Sequence, residues 1–210
     1  VSNTNINDIP FKNMEFHLRG IKNVPNTGVI HGRFQPLHIG HREYLLAGKE
    51  RCDYLLIGIT NADPSQTRYS PACPHRSSDS ANPLTYWERL DIIVGSMLEA
   101  GVKRNEFYVV PFPINYPERI FHYTPQNAKY FMTIYDEWGY EKKKILEKLG
   151  CSIDVMWTKA IDDKVTSGCE IRRLIADNKP WKHLVPEFTY NYIINNKLHL
   201  RIKRLLEGNE

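Results

Sequence analysis

Residues 32–41 read Gly-Arg-Phe-Gln-Pro-Leu-His-Ile-Gly-His. Two histidines, His38 and His41, stand three apart around Gly40, with Arg33 upstream. The spacing puts both imidazoles on one side of a first helical turn. Their N–H groups can donate to phosphate oxygens, and Arg33 adds a fixed positive charge. Gly40 lets a bulky ligand come close to the backbone. A helix start favours anions on its own account, through unpaired N–H groups and the helix dipole. A second anion cradle lies far down the chain, at residues 164–173 (Lys-Val-Thr-Ser-Gly-Cys-Glu-Ile-Arg-Arg). There Thr166 and Ser167 offer hydroxyls ahead of a helix, and Arg172 offers a rigid guanidinium fork suited to phosphate. One histidine near a helix start, or one capped helix with arginines, is commonplace; the two clusters together specify phosphate chemistry.

The surrounding chain supplies elements to hold these clusters. Short apolar runs at residues 28–30, 53–60, 106–113, 130–135 and 152–158 read as strands, and such unbroken runs suit parallel strands covered on both faces. Helical patterns fall at residues 40–51, 141–149 and 169–177, with two more after Pro186. Thr85 and Glu88 form a capping-box pair. The helix they open carries Leu90, Ile93, Val94, Met97 and Leu98 on one face and ends at Gly101. Alternation of strand and helix predicts an α/β fold: a doubly wound, Rossmann-like parallel sheet of about five strands with flanking helices and a small C-terminal helical part. Ligands on such sheets bind beyond the carboxyl ends of the strands, where strand order switches. The expected organisation is a polar N-terminal extension over 1–24, the main domain over 25–168, and C-terminal helices over 169–210 packed on that domain. Residues 61–83, rich in Ser, Pro and Asn, make an unusually long connection and a candidate functional loop.

Composition bounds the function. The chain has 210 residues, 41% hydrophobic and 25% charged, enough for one packed domain. A formal charge of +4 is too small to argue for nucleic-acid binding but suits an anionic small molecule. No apolar run is long enough for a membrane span, and no secretory signal pattern opens the chain. The four cysteines are widely spaced without a CxxC, which predicts a reducing, cytoplasmic setting. Cys73 and His75 are too few for a zinc site, so no protein-bound metal is expected. Oligomeric state is not legible, and a homo-oligomer is left open.

The segment over residues 32–41 resembles the nucleotidyltransferase superfamily, whose mark is an HxGH motif in this context. It looks most like the archaeal-type nicotinamide mononucleotide adenylyltransferases. Residues 164–173 resemble the second motif of that superfamily. So do Asn82-Pro83-Leu84-Thr85 with Glu88-Arg89, and the Pro180-Trp181 to Val185-Pro186 stretch, and the likeness runs over about residues 28–194. Cys169 departs from it, standing where a threonine is common, as do the long 61–81 loop and the segment 115–138.

The resemblance implies transfer of a nucleoside monophosphate. A phosphate or phosphonate oxygen of the acceptor attacks the α-phosphorus of ATP or CTP, and pyrophosphate leaves. It implies that His38, His41 and Arg172 are catalytic, and that Gly32, Arg33, Phe34, Gln35, Gly40, Thr166, Ser167 and Ile171 bind the nucleotide. Base choice would fall near residues 157–166. Arg89, Phe121, Tyr123, Tyr135 and Trp138 would hold the acceptor, the aromatics serving as a platform for a nicotinamide. Magnesium would arrive on the triphosphate. Three activities are open at this point. They are a nicotinamide mononucleotide adenylyltransferase, a cytidylyltransferase acting on a phosphorylated alcohol or phosphonate, and a non-catalytic nucleotide-binding module related to class I tRNA synthetases. The length leaves no room for an anticodon-binding domain.

Overall fold

The computed structural model describes residues 26–66 and 78–208. The expected N-terminal extension, Cys73, His75 and the middle of the 61–83 connection lie outside them. The elements are β1 (Thr27–Gly32), α1 (Ile39–Lys49), β2 (Tyr54–Ile59), α2 (Tyr86–Glu99), β3 (Phe107–Pro111), β4 (Lys129–Ile134), α3 (Glu137–Lys148), β5 (Ser152–Thr158), α4 (Gly168–Ala176), α5 (Glu187–Asn195) and α6 (Leu198–Glu207). All five strands are parallel, in the order β3-β2-β1-β4-β5. The α/β, Rossmann-like class expected from the alternating pattern is the class found.

Alternate residues of the central strands enter cores on opposite faces. Val29 and Tyr130 join one with Leu146 of α3; Ile30 and Phe131 join the other, with Leu45 of α1 and Ile92 of α2. The second core also takes in Ile171, Ile175, Trp181, Ile193 and Ile202, so the helices after residue 168 pack on the same domain. The capping box at Thr85 is formed, and Glu88 also pairs with Arg201 of α6. Gly101 follows α2 at φ 85°, a conformation glycine adopts without strain.

One helix begins earlier than its pattern indicates. The periodicity suggests 141, yet α3 opens at Glu137, where the Asp136 carboxylate accepts from Gly139 N at 2.9 Å. Gly139 hides the start: a Cβ there would lie 3.2 Å from Ile134 Cα, so glycine lets this turn sit close on β4.

Pairing within the sheet is uneven in a way that matters for function. β1 pairs with β2 through Gly32, and β4 with β5 through Ile134. β1 pairs with β4 only at Gly28 and Val29. Beyond Val29 the two central strands part, and the Tyr44 hydroxyl donates to the Phe131 carbonyl at 3.0 Å. A crevice therefore opens at the switch in strand order.

Arg89 holds the other side of this region together. It is 2% exposed and donates to the carbonyls of Thr85, Arg33, Thr60 and Asn61. Burial lowers its pKa to about 10, so it is still a cation at neutral pH. It ties the ends of β1 and β2 to α2 and fixes Asn61 at φ 51°. Arg89→Leu strips four carbonyls of a donor and is expected to destabilise the fold by roughly 3 kcal/mol, read by urea unfolding. A loss under about 1 kcal/mol would mean that water replaces the guanidinium.

Candidate active site

The crevice holds a cavity of about 250 Å3. Three connections wall it. The loop after β1 and the start of α1 contribute Gly32, Arg33, Gln35, His38, Gly40, His41, Glu43 and Tyr44. The β4–α3 turn contributes Thr133, Tyr135, Asp136, Gly139 and Lys142. The end of β5 and the second motif contribute Trp157, Lys159 and residues 163–168. His31 lies in its wall as well. Four cationic side chains (Arg33, Lys142, Lys159, Lys164) face three carboxylates (Glu43, Asp136, Asp163), a balance that favours anions.

The two motif histidines are arranged differently from each other. His38 is the N-cap of α1: its Nδ1 accepts from His41 N at 3.2 Å. An accepting Nδ1 fixes the neutral tautomer with the proton on Nε2, ready to donate to a ligand. The two rings stack with centroids 3.7 Å apart. His41 makes a hydrogen bond to the Pro36 backbone. Its Nδ1 has no hydrogen-bond partner. Burial, and after it the charge of Lys164, lowers His38 to a pKa of about 4. Burial first, then His38 and Arg33, holds His41 well below the usual imidazole range. Both rings are neutral at physiological pH; His38 keeps its Nε2 proton for a ligand, whereas the one proton of His41 goes to the Pro36 carbonyl.

The second motif meets the first through a glycine. Ser167 caps α4, its Oγ accepting from Glu170 N at 3.1 Å, while the Thr166 hydroxyl donates to the Glu170 carboxylate at 2.9 Å. A Cβ on Gly168 would lie 2.5 Å from the Gln35 carbonyl oxygen, so only glycine permits the contact. Gln35 is itself held by its side chain, which donates to Leu84 O and accepts from Leu84 N.

Several expected ligand groups have other positions. Arg172 does not line the cavity. It is 5% exposed, behind the wall, and its Nη1 donates to the Gln35 carbonyl. It fastens one motif to the other, because α4 turns this residue inward beside Ile171 and Ile175. Ile171 is in the core. Phe34, at φ 52°, buries its ring beneath Gly32 with its edge toward His41. Arg89 is occupied by the carbonyls described above. Of the four aromatics expected to cradle an acceptor, Tyr135 alone lines the cavity. Phe121 packs on the core beneath the 117–122 turn, Tyr123 is exposed, and α3 presents Gly139 rather than Trp138.

Other residues of the wall carry no motif signal. Trp157 donates from its indole N–H to the Tyr135 hydroxyl at 2.9 Å. Lys164 lies over the Tyr135 ring at 4.8 Å and Lys159 over the Trp157 ring at 5.4 Å. This aromatic pair, cation-lined, offers flat faces of the kind on which a planar ring can stack. Lys142 and His31 are invisible to spacing because each sits inside an ordinary helix or strand pattern. Among the described residues no group of three or more His, Cys, Asp or Glu is placed to hold a metal ion. Nor is any helix there long and apolar enough to cross a membrane.

A parallel sheet open at its strand switch, with two anion cradles locked across it, defines a Rossmann-like nucleotidyltransferase. The chain belongs to the Cytidylyltransferase-like family, whose sequence profile matches residues 29–174. It is 50% identical over 163 residues to a phosphonoformate cytidylyltransferase of Streptomyces viridochromogenes, spanning 78% of this chain and 88% of that protein. It is 27% identical over 182 residues to a nicotinamide-nucleotide adenylyltransferase of Saccharolobus solfataricus, spanning 86% and 97%. The likeness to archaeal adenylyltransferases expected from the motifs is therefore present, beside a stronger one to a cytidylyltransferase. A bifunctional NMN adenylyltransferase/ADP ribose pyrophosphatase from Francisella tularensis shares the fold, with a TM-score of 0.60 at 12% identity. The match covers 85% of this chain and 52% of that one, so this chain corresponds to about half of the bifunctional protein.

The buried neutral histidines set a pH dependence of stability. Unfolded imidazoles titrate near 6.5, whereas His38 and His41 resist protonation until lower pH. Between those limits the unfolded chain binds more protons, so stability falls as pH drops from about 6.5 toward 4. Each histidine contributes up to about 1.4 kcal/mol per pH unit. Urea midpoints at pH 7.5 and 5 should differ accordingly; a flat profile would contradict neutral burial.

Proposed function

We propose that this enzyme transfers a cytidylyl group from CTP to a small phosphonate acid, with release of pyrophosphate. The single observation that carries the reading is the 50% identity to a phosphonoformate cytidylyltransferase across 88% of that protein. The site supports it from a second direction. Of the four aromatics expected to hold a nicotinamide, only Tyr135 lines the cavity, and in this reading it holds the cytosine.

An oxygen of the acceptor phosphonate attacks the α-phosphorus. The new O–P bond forms as the bond to the β-phosphate oxygen breaks, and the electron pair leaves with pyrophosphate. The nucleophile is already anionic, so no general base is needed and catalysis reduces to positioning and charge stabilisation. His41, exchanging the Pro36 carbonyl for the substrate, donates its N–H to the α-phosphate in the transition state, and His38 donates through Nε2 to the phosphates beside it. Lys164, Ser167 and the N–H groups at the start of α4 hold the outgoing phosphates. Arg172 acts indirectly, as a positioning residue for the Gln35 carbonyl. The cytosine lies against Tyr135 and Trp157. Magnesium, arriving with the triphosphate, would supply charge neutralisation for the leaving group. Free thiols at Cys52, Cys151 and Cys169 agree with a cytoplasmic setting.

Pyrophosphate release should be fast with CTP and phosphonoformate and slow with ATP and nicotinamide mononucleotide. The opposite ranking would overturn the reading in favour of the adenylyltransferase. His41→Ala should lower the rate 100- to 1,000-fold, roughly the loss of one transition-state donor. Retention of more than about a tenth of the wild-type rate would remove His41 from that role.

A further inference from the structure

Buried polar groups in folded proteins are hydrogen-bonded as a rule. His31 is not. It is the penultimate residue of β1 and 4% exposed, and neither ring nitrogen has a hydrogen-bond partner. The ring lies flat on Phe112, with centroids 4.6 Å apart and planes 8° apart. Phe112 reaches this position because Gly58, opposite His31 in the β1–β2 register, has no side chain. A Cβ there would lie 2.7 Å from the Phe112 Cβ. The stack covers one face of the imidazole, and His31 shares the cavity wall with Lys142. Burial first, and the Lys142 charge second, keep the ring neutral. A neutral imidazole carries one N–H to donate and one lone pair to accept.

Its place in the sheet says which substrate it meets. Tyr135 and Trp157 come from β4 and β5, on one side of β1. Phe112 follows β3, on the other side, where its N–H donates to Ile59 O at the end of β2. An in-line displacement needs the attacking and leaving oxygens on opposite sides of the α-phosphorus. With the base on the β4–β5 side and the outgoing phosphates on the motif loops, as proposed above, the side left to the attacking group is that of β2 and β3. We propose that His31 is an acceptor-binding, specificity-determining residue whose N–H donates to an anionic oxygen of the acceptor, with Lys142 supplying the opposite charge. The ligand class is a compact di- or trianion, such as a phosphonate bearing a carboxylate. This inference rests on the phosphonate reading above. Leucine or phenylalanine would pack against Phe112 without an orphaned nitrogen, so packing alone gives no reason for histidine here.

The test compares wild type with His31→Leu, which keeps bulk and removes both nitrogens, using CTP and phosphonoformate. The KM for phosphonoformate should rise at least about tenfold, with the KM for CTP within about twofold and the melting temperature unchanged or higher. His31→Gln, which can still donate, should recover part of the loss, and it carries the comparison if the leucine variant does not fold. An unchanged phosphonoformate KM, or a parallel rise for both substrates, overturns the proposal. A binding arm separates it from the functional reading. Phosphonoformate, added with a non-hydrolysable CTP analogue, should raise the melting temperature of wild type and not of His31→Leu. Binding that depends on His31 without pyrophosphate release keeps this inference and sinks the reaction. Cytidylyl transfer indifferent to His31 does the reverse, and neither binding nor transfer sinks both.

Discussion

The site depends on the parting of β1 and β4 after Val29. In a parallel sheet buried on both faces, each lost ladder bond leaves backbone groups that need another partner. Here the Tyr44 hydroxyl takes one of them, at the Phe131 carbonyl. The gap gives the turn after β1 and the turn after β4 room to face each other across a cavity. It also places the start of α1, with its unpaired N–H groups, against that space. Continued pairing of β1 with β4 would close the crevice and leave the motif loops on a flat sheet edge.

Around the gap, most of the chemistry consists of neutral or main-chain donors held rigid. His38 starts a helix and presents a proton with the same ring, the orientation of one enforcing the other. Arg89 and Arg172, both buried guanidiniums, act on carbonyl oxygens of the loops rather than on the cavity. The lysines Lys142, Lys159 and Lys164 come from outside the first motif and line the opposite walls.

The parts of this arrangement that were legible in the sequence are those with short-range signals. Five apolar runs, the Thr85–Glu88 box and the two motifs each declare themselves within about ten residues. The start of α3 does not, because Gly139 interrupts the pattern that Asp136 begins. Arginine roles are not legible either: a guanidinium at a helix start suits phosphate and a buried carbonyl cluster equally well, and only the rotation of α2 and α4 against the core decides. Tyr135 and Trp157 meet across two strands, and His31 meets Phe112 across β2. Such pairings depend on strand order and register, which spacing along the chain does not encode.

The contact of Gly168 with the Gln35 carbonyl has a thermodynamic consequence. The two motif loops are docked on each other without a ligand, so a nucleotide bound across them would not have to order one against the other. The entropy of bringing them together is settled during folding. The same rigidity confines evolutionary change. A relative that exchanges one substrate for another cannot easily reshape the docked loops without breaking the joint. New specificity is therefore expected from His31, the β4–α3 turn and the end of β5, which line the cavity without forming part of the joint.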